Sequence, residues 1–214
     1  MKKYLLIAIL IIPILKTNGQ GLGELAPDKE PVTFPPNSWG VDIMFGEGGP
    51  GLGAFLRKEV FTNFTAFTDV SFSEAKDERE IEYVDIFGNT YTYGKINRIF
   101  LIPFNVGLQY RLFSETLTDN LRPYINLGIG PSIVLTTPYD KEYFSAFGKT
   151  QAKYTVGGYV GLGANFGLDK NHLIGINLRY YLIQLFGQGV ESLQNDYLKQ
   201  LGGFYLTINI GMMY

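Results

Sequence analysis

Across residues 100–112, every second side chain is large and apolar: Phe100, Ile102, Phe104, Val106, Leu108, Tyr110 and Leu112 share one side of an extended chain. The other side carries Leu101, Pro103, Asn105, Gly107, Gln109 and Arg111. Alternation with period two marks a strand whose two faces meet different surroundings. The pattern recurs over residues 123–133, 154–168, 174–182 and 204–214. Three weaker segments precede these: Trp39, Val41, Ile43 and Phe45; then Leu52, Ala54 and Leu56; then a looser run across 64–73. Gly48-Gly49-Pro50-Gly51 signals a turn between the first two. About eight strands of roughly 8–14 residues are expected, a length that suits strands crossing a bilayer at a tilt.

Periodicity does not say which face looks inward. A soluble barrel would enclose its apolar face and cover the outside with Lys and Glu. In the five clear strands the second face carries Gly, Asn, Gln, Thr, Tyr and a few Arg, with no Lys, Asp or Glu. Lipid around the bulky side chains and small polar ones filling a narrow interior account for both faces. The expected fold class is therefore all-β: an eight-stranded antiparallel transmembrane up-and-down β-barrel over residues 39–214. Connector lengths agree. With the N-terminus in the periplasm, segments 58–63, 113–121 and 169–172 become short periplasmic turns, whereas 73–97, 136–153 and 187–202 become long outer loops. Only 46–51 departs from this trend.

The chain begins Met1-Lys2-Lys3 and continues with an apolar run from Tyr4 to Leu15. A spanning helix needs ~20 such residues. A basic start, a short apolar middle and a small residue at Gly19 describe a secretory signal peptide over residues 1–19. Residues 20–38, with Pro27, Pro31, Pro35 and Pro36, are expected to form a flexible periplasmic leader. Export followed by barrel formation places the chain in the cell outer membrane, with outer-membrane lipid as its first partner.

Lys and Arg number 18 against 20 Asp and Glu, which argues against a nucleic-acid partner. The absence of Cys removes disulfides, thiolate metal sites and a Cys nucleophile. The one histidine, His172, closes the Asp169-Lys170-Asn171-His172 turn at the periplasmic rim, with no Ser evidently beside it. A His-based triad is therefore not expected, nor is the chain expected to be an enzyme or to carry a cofactor. Asp77, Glu78, Glu80, Glu82 and Asp85 follow no calcium-loop spacing and are expected to form a solvated loop face, not a metal site. Phe87-Gly88-Asn89-Thr90 has the composition of a hairpin turn inside the same loop.

The inward set includes Asp42, Arg57, Asp69, Asn105, Gln109, Arg111, Asn126, Asn177 and Arg179, joined by Tyr124, Tyr159, Asn165 and Asn209. Carboxylates among guanidinium groups in a narrow lumen point to a hydrogen-bonded plug, because an unpaired buried charge is costly. The alternative is a narrow channel for ions or small solutes. In the second long loop, Tyr139, Tyr143, Phe144 and Phe147 concentrate aromatic surface. They suit either a protein contact or an aromatic girdle at the headgroup level.

The last strand ends Phe204, Leu206, Ile208, Ile210, Met212 and Tyr214, an apolar residue at every second place and an aromatic at the end. This resembles the C-terminal insertion signal of bacterial outer-membrane barrels, which implies insertion by the barrel-assembly machinery. With its glycine-studded strands, such as Tyr154-Thr-Val-Gly-Gly-Tyr-Val-Gly-Leu-Gly, the chain is similar to the small OmpA-like or PorT-like barrels of Bacteroidota-type bacteria. The resemblance implies a fold and a location, and an envelope-scaffold or secretion-assembly role with an unidentified envelope protein as partner. It carries no catalytic residues across.

Overall fold

The computed structural model describes residues 34–88, 90–117, 120–167 and 171–214. The expected signal peptide, and the expected leader up to residue 33, lie outside the described residues. In chain order the strands are β1 (Asn37–Gly46), β2 (Gly49–Phe61), β3 (Phe64–Ala75), β4 (Glu82–Val84), β5 (Thr90–Thr92), β6 (Asn97–Arg111), β7 (Leu121–Pro138), β8 (Gln151–Gly167), β9 (His172–Gln184), β10 (Val190–Glu191), β11 (Tyr197–Leu198) and β12 (Gln200–Met213). One helical turn, α1 (Tyr143–Ala146), and the 3-10 turn Phe147–Lys149 lie between β7 and β8.

Eight of these strands close into a barrel in the order β1-β12-β9-β8-β7-β6-β3-β2, each antiparallel to its neighbours. The seam joins the first and last strands, from Ser38↔Met213 to Gly46↔Tyr205. Closure gives the strands' amides and carbonyls partners without water, the condition for crossing hydrocarbon. The pairs β4–β5 and β10–β11 are short hairpins inside the long connections. Below, the loop end is the rim carrying those connections, and the turn end is the opposite rim, where β1 starts and β12 stops.

Strands reach further than the apolar alternation predicts. β6, β8 and β7 run for 15, 17 and 18 residues. Pairing requires backbone partners, not apolar side chains, so the ladder continues past the greasy band as far as Asn97↔Pro138. For the same reason β1 starts at Asn37, two places before the expected barrel boundary. The ladder lapses between Val70↔Phe104 and Ser73↔Leu101, and again between Pro103↔Ser132 and Val106↔Ile129. Pro103 and Pro131 sit at these gaps, and proline has no N–H to donate.

Leu108, Leu127, Ile129 and Leu162 stand 52–65% exposed on the outer wall, whereas Asn105 and Asn209 are wholly enclosed. The orientation expected from the sequence is therefore the one observed. The interior is tight. At Gly161 a Cβ would stand 2.3 Å from Asn126 Oδ1, so glycine there makes room for the amide.

The lumen is not polar throughout, which corrects the expectation of a uniformly polar filling. Toward the loop end Ala75, Ile99, Leu101, Val134, Ile183 and Leu201 pack with Leu185 and Val190 into an aliphatic layer. Beneath it lies a layer of Met44, Phe67, Tyr159, Tyr181 and Tyr205. At the turn end Phe55, Leu173 and Met213 pack with Phe34.

Ile129, at the middle of β7 on the outer wall, tests the orientation energetically. Ile129→Arg should cost about 2–4 kcal/mol in equilibrium unfolding from lipid bilayers, the price of a cation at mid-membrane. A cost near zero would mean that this face meets water.

Candidate functional site

Between the layers at its two ends the barrel holds charge. Asp42 on β1 and Arg179 on β9 are each 1% exposed and form an ion pair of 2.8 Å. Both were placed inward by period two, but only closure through β12 brings β1 and β9 near each other. Asn209 on β12, the strand between them, donates from Nδ2 to Asp42 Oδ1 at 2.5 Å. The Tyr124 hydroxyl donates to Asn209 Oδ1 at 3.3 Å. Arg179 also donates to the Tyr181 hydroxyl at 3.4 Å and lies 5.1 Å from the centre of the Tyr159 ring.

A second carboxylate completes the layer. Asp69 on β3 accepts from Asn105 Nδ2 at 2.8 Å and from the Tyr159 hydroxyl at 2.6 Å. A buried charge is costly unless a countercharge or hydrogen bonds replace its water; Asp42 has both, and Asp69 has hydrogen bonds from Asn105 and Tyr159. Asn126 and Asn177 are buried in the same interior, near each other at Gly161.

Arg57, Gln109 and Arg111 are inward-facing but stand apart from this layer. They line a cavity of about 350 Å³ at the turn end, together with Phe34, Glu59, Arg122 and Tyr124 among others. Arg57 donates to Asn165 Oδ1 at 3.3 Å. Arg111 donates to the Leu117 carbonyl at 3.0 Å. Arg122 donates weakly to Met213 Sδ, and its guanidinium stacks 3.8 Å above the Phe34 ring. Arg122 and Phe34 escaped the sequence reading. For Arg122 the signal was present: it has the same parity as Tyr124 and Asn126, one step nearer the turn. For Phe34 there was none, because it precedes any periodicity.

The loop end is closed by its own contacts. Glu80 accepts from Lys95 and from the Ser192 hydroxyl, both at 2.7 Å, and so ties the first long loop to the last. Arg79 bridges Asp77 and Asp196 across the same two loops. Asp77 and Glu80 are thus buried, contrary to the expected solvated acidic face. Hydrogen bonds to Asp77 and Asp196 hold the Arg79 guanidinium above its ordinary pKa, and the Lys76 ammonium draws Glu82 below the usual carboxylate range. The expected hairpin within this loop is present as β4–β5. Among the described residues no group of acidic or His side chains could hold a metal ion.

In the second long loop Tyr143 and Phe147 pack against Phe100 on the outer wall, at 6.1 and 5.6 Å between ring centres. Burial raises the Tyr143 hydroxyl above its ordinary pKa, and Glu74 adds to this. The Arg98 guanidinium lies 4.7 Å from the Tyr139 ring centre, and Phe144 is 82% exposed. His172 opens β9 opposite Met212, so it belongs to a strand end and not to the turn. Phe204, Leu206, Ile208, Ile210 and Met212 all face outward along β12, and Tyr214 follows it.

By sequence the chain matches no family model and no curated protein. Its fold does have solved counterparts. Neisserial surface protein A matches with a TM-score of 0.51 and 8% identity, over 83% of this chain and 94% of that one. The N-terminal β-barrel domain of Pseudomonas aeruginosa OprF has a TM-score of 0.45 and 12% identity over 84% and 98%. Ail, the attachment invasion locus protein of Yersinia pestis, has 0.39 and 13% over 82% and 95%. The first match shows the shared barrel fold.

The central pair makes a sharp prediction. Asp42→Ala leaves Arg179 charged and enclosed, and should destabilise the barrel by about 3–5 kcal/mol in chemical unfolding. The double variant Asp42→Ala/Arg179→Met should recover a large part of that loss. Additive costs would show that the two side chains act independently.

Proposed function

We propose that the chain is an exported, non-conducting barrel of the bacterial outer membrane whose role is structural and interaction-based: it anchors a set of outward loops in the envelope. In this reading the turn end faces the periplasm and the loop end faces the exterior. Insertion proceeds through the barrel-assembly machinery, guided by the outward face of β12 and Tyr214. The loops then supply the contact with another envelope protein, Phe144 being the most exposed of the second loop's aromatics Tyr143, Phe144 and Phe147. A place in a secretion assembly, implied by the PorT-like resemblance, is the narrower form of the same proposal.

The observation that carries it is the double seal of the lumen. The Asp42–Arg179–Asp69 layer fills the middle, and the aliphatic layer around Leu101, Val134 and Ile183 closes the loop end. An ion entering from the turn end would meet a desolvating apolar barrier after displacing a paired charge. No residue lining the turn-end cavity also lines the cavities at the loop end. That arrangement favours anchoring over transport.

Purified protein reconstituted in planar bilayers should give no discrete current steps. In parallel, unboiled samples should migrate differently from boiled ones on a denaturing gel, the behaviour of an intact barrel. Reproducible openings, altered by Arg111→Ala or Arg179→Ala, would replace the anchoring role with transport. Identical mobility of the two samples would remove the barrel itself.

A further inference from the structure

The turn-end cavity is charged in one sense. Its lining carries three guanidinium groups, from Arg57, Arg111 and Arg122, against the single carboxylate of Glu59. Among the described residues no carboxylate lies within ion-pair distance of any of the three. Their protein partners are neutral: an amide oxygen for Arg57, a backbone carbonyl for Arg111 and a thioether sulfur for Arg122. Arg111 Nε and Arg122 Nε are shielded from solvent and have no acceptor; Arg179 Nε shares this, so what sets the turn-end arginines apart is the lack of a carboxylate partner. Arg57 is itself only 7% exposed.

This differs from the way the same barrel treats its other buried cation. Arg179 is matched by Asp42 at 2.8 Å. Three like charges gathered at one mouth repel one another, and the low-dielectric walls strengthen that repulsion. The shape of the cavity is built, not incidental. Phe34 packs on the Arg122 guanidinium from one side and against Gly167 from the other, where a Cβ would stand within the ring's own space.

We propose that this cavity binds a phosphate-type oxyanion, with Arg57, Arg111 and Arg122 as its ligands. Guanidinium groups are planar, permanently charged and able to donate two parallel hydrogen bonds to one oxyanion. About 350 Å³ accommodates a phosphate group with part of its hydration, or the phosphodiester of a lipid headgroup reaching over the rim. Tyr124, also in the lining, closes the cavity floor beneath the polar layer, so the anion stays at the mouth. Glu59 at the rim disfavours occupancy and sets the affinity below what three cations alone would give.

The test uses the full chain folded in a maltoside detergent, which contains no phosphate, with ionic strength held constant by sodium chloride. Inorganic phosphate is titrated in one arm, and short-chain phosphatidylglycerol against short-chain phosphatidylcholine in another, while arginine Nε–H NMR signals are followed. Saturable shifts of Arg111 and Arg122 with phosphate identify a site for a free anion. Saturable shifts with phosphatidylglycerol alone identify a lipid headgroup. Arg111→Gln/Arg122→Gln should weaken either by roughly tenfold or more, the effect of losing charged hydrogen bonds. Glu59→Gln, an exposed rim change that leaves the interior untouched, should tighten binding several-fold. No saturable shift in either arm overturns the proposal, as does binding indifferent to both the arginine pair and Glu59.

Discussion

Hydrocarbon offers a backbone no hydrogen-bond partner, and that constraint shapes everything else in this molecule. Eight strands meet it by joining β1 to β12, so that the sheet has no free edge within the membrane. The cost of an edge explains why the ladder tolerates Pro103 and Pro131 as local gaps but not as an opening. Closure with eight strands then fixes the bore, because strand number sets barrel diameter. A lumen of this width is filled by side chains, and its filling becomes the second problem the sequence has to solve.

The filling is layered. Near the turn end the chain places positive charge, at mid-height a paired and hydrogen-bonded set, and toward the loop end first aromatic and then aliphatic side chains. Each layer is satisfied differently. The mid-height layer has no access to bulk water, and Asp42 therefore needs both Arg179 and Asn209. The aliphatic layer needs no partners and keeps water out of the layer below it. Glu80, Lys95 and Ser192 then hold two loops over it. The turn end keeps a cavity lined by three guanidinium groups with neutral protein partners.

Much of the wall was legible in the sequence. Period two identified the outward and inward faces of β6, β7, β8, β9 and β12, because lipid and lumen impose opposite demands on alternate residues. Parity alone assigns Asp42, Asp69, Asn105 and Arg179 to the interior. Their pairing was not legible, since it depends on which strands closure makes neighbours. Nor was the aliphatic layer. At Ile99-Phe100-Leu101-Ile102 and at Ile133-Val134-Leu135 both parities are apolar, and the period is lost where the lumen itself turns dry. The burial of Asp77 and Glu80 is hidden for another reason: Glu80 is held by Lys95 and Ser192, and Asp77 by Arg79, which also reaches Asp196, and such pairing between loop segments has no period.

The separation between wall and filling has a consequence for how such a chain can change. The outer wall is held by backbone bonds and a generic apolar surface, so outward residues can vary among large apolar types at little cost. Asp42, Arg179 and Asn209 cannot vary one at a time, because loss of one takes a partner from an enclosed charge or amide. The loops stand between these extremes: their ion pairs span exposed and buried ends, as with Arg79 between Asp77 and Asp196. Surface pairs of that kind contribute little energy individually. Their geometry, more than their strength, is what orders the outward face, and a new contact can be built there without disturbing the charge beneath.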